Sequence, residues 1–376
     1  MRKICYVSGT RADYGLMRAV LKRLEAASDI DLSICVTGMH LSSLYGNTIN
    51  EIIADGFNIC GQIPIDVDTA THSTMAKSIG YGLIAMTELF EQQRPDIVLL
   101  LGDRGEMLAG ALAAVHLNIP IVHIHGGERS GTVDEMIRHA VSKLSHYHFV
   151  ATQAAYQRLI KMGEKESTVF LVGAPGLDEI ASYKPCDRNH FCRQYNLDPC
   201  RQFALLVFHP VVQEYYEVKS QFENIIFAAL QLELQLIILE PNSDAGGHFI
   251  RNALNDYQGH ADIRIIKHMQ RQDYLDCLAN VDVMLGNSSS GIIEAASYNL
   301  LVINVGSRQQ LRERGDNVID VATDVESILF GLKKVLSTKK IACSNFYGDG
   351  QTSERCYNLL RTVSLDPDIL SKCNAY

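Results

Sequence analysis

No two of the ten cysteines stand at C-x-x-C spacing, which removes both a zinc knuckle and a dithiol redox motif. No apolar run approaches the roughly 20 residues that a membrane-spanning helix needs. A G-x-G-x-x-G turn is missing after the first predicted strand, so a dinucleotide redox cofactor is not supported. An excess of positive charge is also missing. With 34 Lys and Arg against 43 Asp and Glu, the formal charge is −9 and the pI about 5.8. That balance argues against non-specific binding to nucleic acid or to an anionic membrane, but it permits a local basic pocket for a phosphate ligand. Neither an internal repeat nor a low-complexity tract is present. The apolar run after Met1-Arg2-Lys3 is too short for a signal peptide and meets Gly9-Thr10-Arg11. Together with scattered thiols such as Cys5 and Cys35 in apolar runs, this predicts a cytoplasmic protein.

What is present is a chain of 376 residues, 47% hydrophobic and 20% charged, long enough for two ordinary domains. Short β-branched runs alternate with amphipathic segments. Strands are predicted at 4–7, 32–36, 97–101, 121–124 and 147–151, and helices at 14–26, 41–54, 74–91, 105–117 and 134–145. The second half repeats the style, with strands at 204–208, 236–239, 263–266, 283–285 and 301–305. Alternation of this kind predicts α/β architecture: two Rossmann-like doubly wound domains with a cleft between them. The weak patterning around Tyr183 to Arg201 marks a boundary, giving domains 1–182 and 183–352. A last helix, within 353–376, is expected to pack back on the first domain.

Ligands of such sheets bind off the carboxyl ends of the strands, so the strand ends are read in order. Gly9-Thr10-Arg11 is either a phosphate-binding turn or a turn with a surface arginine. Asp103, after five apolar residues, is a candidate base or sugar ligand; with Glu106 three residues on, it also fits a helix capping box. Alternation places His123 and His125 on one face of a strand, and Gly126-Gly127-Glu128 follows. A metal there is disfavoured, because no other ligand stands at metal spacing. An acid/base site around a close backbone approach fits better. Asp134 and Glu135 open a helix, where acids favour the dipole, and Arg138 and His139 lie one turn on. In the second half, Gly286-Asn287-Ser288-Ser289-Ser290-Gly291 joins a strand to a helix. Its amides and hydroxyls suit a diphosphate, and Glu294 beyond it suits the two hydroxyls of a ribose. Gly306-Ser307-Arg308 follows the last strand.

Eight stretches in this order resemble the UDP-N-acetylglucosamine 2-epimerase family of the GT-B fold, and its hydrolysing branch most. They are 9–15 (GTRADYG), 37–40 (TGMH), 102–104 (GDR), 123–128 (HIHGGE), 134–139 (DEMIRH), 208–210 (FHP), 286–291 (GNSSSG) and 306–309 (GSRQ). The resemblance implies that Asp103 and Asp134 are catalytic acids. It implies that Arg11, Ala12, Arg104, His209, Asn242, Met269, Ser288, Ser289, Glu294 and Arg308 hold uridine diphosphate. Some members carry glutamate where this chain has His125, so His125 takes an acid/base role or Glu128 does. His123, Arg138 and His139 are implied near the sugar. The implied reaction converts UDP-N-acetylglucosamine and water to N-acetylmannosamine and UDP for sialic acid biosynthesis, with no cofactor and no metal, in a homodimer or homotetramer. Anti elimination to a 2-acetamidoglucal precedes hydration. Alternatives are the same chemistry on UDP-2,4-diacetamido-2,4,6-trideoxyglucose in legionaminic acid synthesis, reversible epimerisation without hydrolysis, a glycosyltransferase, and a non-catalytic nucleotide-sugar sensor.

Overall fold

The computed structural model describes residues 1–338 and 342–376. The chain divides into two compact units. One comprises Met1–Arg129, Val133–Ala181 and Tyr347–Tyr376; the other comprises Ser130–Thr132 and Ser182–Phe346. Each is a doubly wound α/β unit around a parallel sheet.

In the first unit the strands are β1 (Arg2–Ser8), β2 (Ile30–Thr37), β3 (Ile59–Ile63), β4 (Ile97–Leu101), β5 (Ile121–Ile124), β6 (Tyr147–Val150) and β7 (Val169–Leu171). Their order is β3-β2-β1-β4-β5-β6-β7, all parallel. The run Ile97 to Leu101 is buried throughout, as expected of a strand covered by helices on both faces. Each such side chain contributes about 1.5–3 kcal/mol on burial. The order reverses between β1 and β4, so the crevice for a ligand lies where Ser8 and Leu101 end their strands.

In the second unit the strands are β8 (Phe203–Val207), β9 (Gln235–Leu239), β10 (Ile263–Ile266), β11 (Val283–Gly286), β12 (Val302–Val305) and β13 (Val318–Val321). Their order is β10-β9-β8-β11-β12-β13, again all parallel. The reversal falls between β8 and β11, which aims His209 and Asn287 at one spot. Gly286 makes that approach possible: at φ 126° a Cβ would stand 2.1 Å from the carbonyl oxygen of Val207.

Some elements depart from the sequence reading. The helix expected over 41–54 is two short 3₁₀ turns and a helix at Ile49–Ala54. Gly46 and Asn47 have positive φ there, which no continuous helix tolerates. Strands β3, β7 and β13 were not anticipated; all are edge strands, and β3 and β13 are only partly buried, with no apolar run to announce them. Among the described residues no helix is long and apolar enough to cross a membrane.

Candidate active site

At the end of β1, the buried carboxylate of Asp13 organises the turn. It accepts from the Thr10 N–H at 2.7 Å, the Gly9 N–H at 3.1 Å and the Thr10 hydroxyl at 2.9 Å, and Ser8 Oγ donates to it too. Burial nevertheless raises the Asp13 pKa. The Gly9 and Thr10 amides are thus committed to Asp13, and what the turn presents is Arg11 and Ala12, the first residues of helix Arg11–Glu25. His40 Nε2 lies 2.9 Å from Ser8 Oγ, behind this turn.

At the end of β4, Asp103 is not a helix cap. The cap position of helix Gly105–His116 is Arg104, which makes no side-chain cap bond, and Arg104 instead pairs with Glu106 at 3.5 Å. The Asp103 carboxylate is ion-paired with Arg138 Nη2, and Arg138 is 2% exposed. Arg138 Nη1 also donates to the Glu128 carbonyl at 3.2 Å. One guanidinium on helix Val133–Leu144 therefore ties the end of β4 to the loop after β5.

That loop corrects the alternation argument. β5 stops at Ile124, and His125 turns into the left-handed region at φ 61°, so His123 and His125 do not share a strand face. His123, fully buried, lies with Nε2 2.7 Å from the Gly102 carbonyl and Nδ1 3.1 Å from Ser142 Oγ. Burial holds its pKa down at about 3, so the ring is neutral. Nε2–H must then donate to the carbonyl, and Nδ1 accepts from the serine hydroxyl. His123 is a brace for the Gly102-Asp103 turn. His125 Nδ1 is hydrogen-bonded to Glu128 Oε1, both residues being buried. Asp134 and Glu135 stand in the first turn of helix Val133–Leu144, and Glu135 pairs with His139 at 3.5 Å. Burial lowers the His139 pKa.

Gly126 sits against this brace. A Cβ there would lie 3.0 Å from both His123 Nδ1 and Ser142 Oγ. Gly126→Ala is expected to destabilise the protein by about 1–3 kcal/mol through overpacking. Urea denaturation would show it as a lowered midpoint at constant slope; a wild-type midpoint would mean the brace can move aside.

In the second unit, Asn287 clamps the backbone of His209. Its Oδ1 accepts from the His209 N–H at 2.7 Å, and its Nδ2 donates to the His209 carbonyl at 2.8 Å. His209 Nδ1 accepts from the Asn242 N–H at 3.3 Å, and Asn242 Nδ2 donates to Asp244 at 2.6 Å. Arg308 Nη1 donates to the Asn287 carbonyl at 3.3 Å. Gly131 N–H donates to the Arg308 carbonyl at 3.1 Å. His209, Asn242, Asn287 and Arg308 thus form one connected group. Ser288 and Ser289 lead into a helix of only four residues, Ser290–Ile293, so little helix dipole is available to a phosphate. Glu294 is not inside that helix but caps it, is buried, and pairs with Arg271 at 2.7 Å. Tyr274 Oη donates to Ser290 Oγ at 2.6 Å. Met269 is buried in the turn before helix Arg271–Asn280. Sequence reasoning assigned no role to Asn287, Arg271, Tyr274 or Ser142. Asn287 was visible within its motif; the others carry no local signal, because their partners lie 16 to 23 positions away. Among the described residues, no cluster of His, Cys, Asp and Glu could hold a metal ion.

The sequence profile of the family described as UDP-N-acetylglucosamine 2-epimerase matches residues 22–361. The chain belongs to this family. As a UDP-N-acetylglucosamine 2-epimerase family enzyme it is 66% identical, over all of both chains, to a Legionella pneumophila protein named UDP-N,N'-diacetylbacillosamine 2-epimerase (hydrolyzing). It is 34% identical to the UDP-N-acetylglucosamine 2-epimerase of Neisseria meningitidis, over 94% of this chain and 92% of that one. The S. aureus MnaA–UDP co-structure shares its fold, with a TM-score of 0.81 at 21% identity, covering 96% of each chain.

Proposed function

We propose that this enzyme hydrolyses UDP-N,N'-diacetylbacillosamine, which is UDP-2,4-diacetamido-2,4,6-trideoxyglucose, with inversion at C2. The 66% identity to the Legionella pneumophila enzyme, over the full length of both chains, carries this reading. The expectation of UDP-N-acetylglucosamine and sialic acid biosynthesis gives way to it, since the relative of that name is only 34% identical.

Residues of the two units supply groups suited to each step. Glu128 accepts the Nδ1–H of His125, which leaves the lone pair on Nε2 to act as a base. His125 takes the C2 proton. The C2–H electrons become the C1–C2 double bond, and the C1–O bond breaks toward the β-phosphate. Water then delivers its oxygen to C1 and loses one proton to one carboxylate of the pair Asp103 and Asp134, while the other, protonated, gives its proton to C2 on the opposite face. The C2 proton is very weakly acidic, so the departing diphosphate must be stabilised strongly. Arg308, Ser288 and Ser289 serve that purpose, with Arg11 and Arg104, and Glu294 takes the ribose. His209, Asn242 and Met269 complete the uridine diphosphate set, and Ala12 offers its backbone.

The test gives the enzyme each UDP-sugar in deuterated water, followed by proton and phosphorus NMR. Released UDP, a free manno-configured sugar and deuterium at C2 are expected with the diacetamido substrate. A kcat/KM preference of about 100-fold over UDP-N-acetylglucosamine is expected, the scale that a pocket shaped for a methyl and an amide reaches. Equal or better turnover of UDP-N-acetylglucosamine would overturn the sugar assignment.

A further inference from the structure

We propose that Lys372, in the segment after Pro367–Leu370, is a positioning residue for the acid at the end of β4. The inference rests on the reading of Asp103 as catalytic.

Helix Val133–Leu144 touches the active-site loops at three levels. Asp134 lies in its first turn, Arg138 in its middle pairs with Asp103, and Ser142 in its last turn holds His123. His123 in turn holds the Gly102 carbonyl, one residue before Asp103. The axial position of this helix therefore sets where Asp103 stands. Carbonyls of a last helical turn lack full intrahelical partners and need others, and here the Ser142 carbonyl takes only the Ser145 N–H at 3.2 Å from the backbone. Here Lys372 Nζ donates to the Ser142 carbonyl at 3.0 Å and to the Ser145 carbonyl at 2.5 Å. Its remaining N–H meets Glu164 Oε2 at 2.6 Å. An ammonium has three donors, and all three are spent. The charge also stands at the negative end of the helix dipole.

The anchor for this lysine is itself buried and held by several partners. Glu164 has a side chain only 1% exposed and is gripped by Lys143 at 2.7 Å and by His148 Nε2 at 2.9 Å. These partners hold its pKa down at about 2 against the opposing effect of burial. The segment carrying Lys372 is pinned alongside: Ala375 N–H donates to the Gly163 carbonyl at 2.8 Å, and Lys143 donates to Asn374 Oδ1 at 2.6 Å. The connection runs from Glu164 through Lys372 to the helix end, then through Ser142, His123 and Gly102 to Asp103. None of the groups from Glu164 to Ser142 was marked by any sequence motif.

Losing the anchor should misplace the acid without touching nucleotide binding. In Lys372→Met, which keeps bulk and removes the donors, kcat on the UDP-sugar is expected to fall about tenfold, the scale of a sub-ångström misplacement. KM and UDP affinity should stay as in the wild type. Lys372→Arg, which can still donate to two carbonyls and a carboxylate, should recover most of the loss. Lys165→Ala, an exposed lysine beside the same segment, should change nothing. Unchanged kcat in Lys372→Met overturns the proposal. So does a loss of kcat together with UDP binding, or a loss that arginine does not relieve. Wild-type enzyme that turns over no UDP-sugar overturns the functional reading instead, so the two failures are distinct.

Discussion

Asp103→Asn is expected to lower turnover by about a thousandfold or more while UDP still binds, since a positioned acid or base contributes roughly 10²–10⁴-fold and Asp103 also aligns its neighbours. The residue follows the buried strand β4 and meets the guanidinium of Arg138. Asparagine keeps the shape and can still accept one hydrogen bond, but it cannot carry a proton. It also leaves Arg138, 2% exposed, with a weaker partner, at a stability cost of about 1–3 kcal/mol. Circular dichroism and UDP titration separate folding and nucleotide binding from chemistry. Asp134→Asn should behave likewise from the first turn of helix Val133–Leu144. Wild-type activity in both variants would refute the assignment of these acids.

Mild acid should unfold the first unit. Burial lowers the pKa of four buried histidines in it: His40 and His146 are held down at about 4, His123 at about 3, and His148 is lowered too. His40 is locked between Ser8 Oγ at 2.9 Å and Thr48 Oγ1 at 2.8 Å. His146 Nδ1 accepts the Ile121 N–H at 3.0 Å. A depressed folded pKa means that stability is full above the unfolded value near 6.5 and is lost as pH falls toward the folded value. Between about pH 6 and 4 the unfolded chain binds at least three protons that the folded chain does not. Stability should therefore drop with a slope approaching about 4 kcal/mol per pH unit. Against a total of about 5–15 kcal/mol for a domain, little would remain near pH 5. Urea melts at pH 7.5, 6 and 5, with hydrogen exchange read separately in the two units, would show it. The same midpoint at all three would mean that these rings titrate normally.

The site was legible to different depths. Asp103 stood out because a carboxylate directly after five apolar residues has no core role to fill. Yet its local context favoured a cap, and the structure decides against that by placing Arg104 at the cap position and Asp103 against Arg138, 35 positions away. The Gly286-to-Gly291 stretch pointed to a ligand through its small residues, while the reason for its shape, Asn287 clamping His209, joins two strand ends 78 positions apart. Alternation failed at His125, which lies just beyond the strand and takes a positive φ. It failed again at 41–54, where Gly46 and Asn47 interrupt an otherwise helical pattern.

Sequence alone determined the α/β class, the central strands and the positions of most chemical groups, because β-branched runs and strand-end glycines are local signals. It also determined the family, through short motifs kept in order along the chain. The tertiary structure decided which groups meet: Arg138 with Asp103, His125 with Glu128, Lys372 with the end of helix Val133–Leu144. Such pairings depend on how parallel strands and their crossover helices stack in space, and residues far apart along a chain carry no mark of the partner that folding gives them.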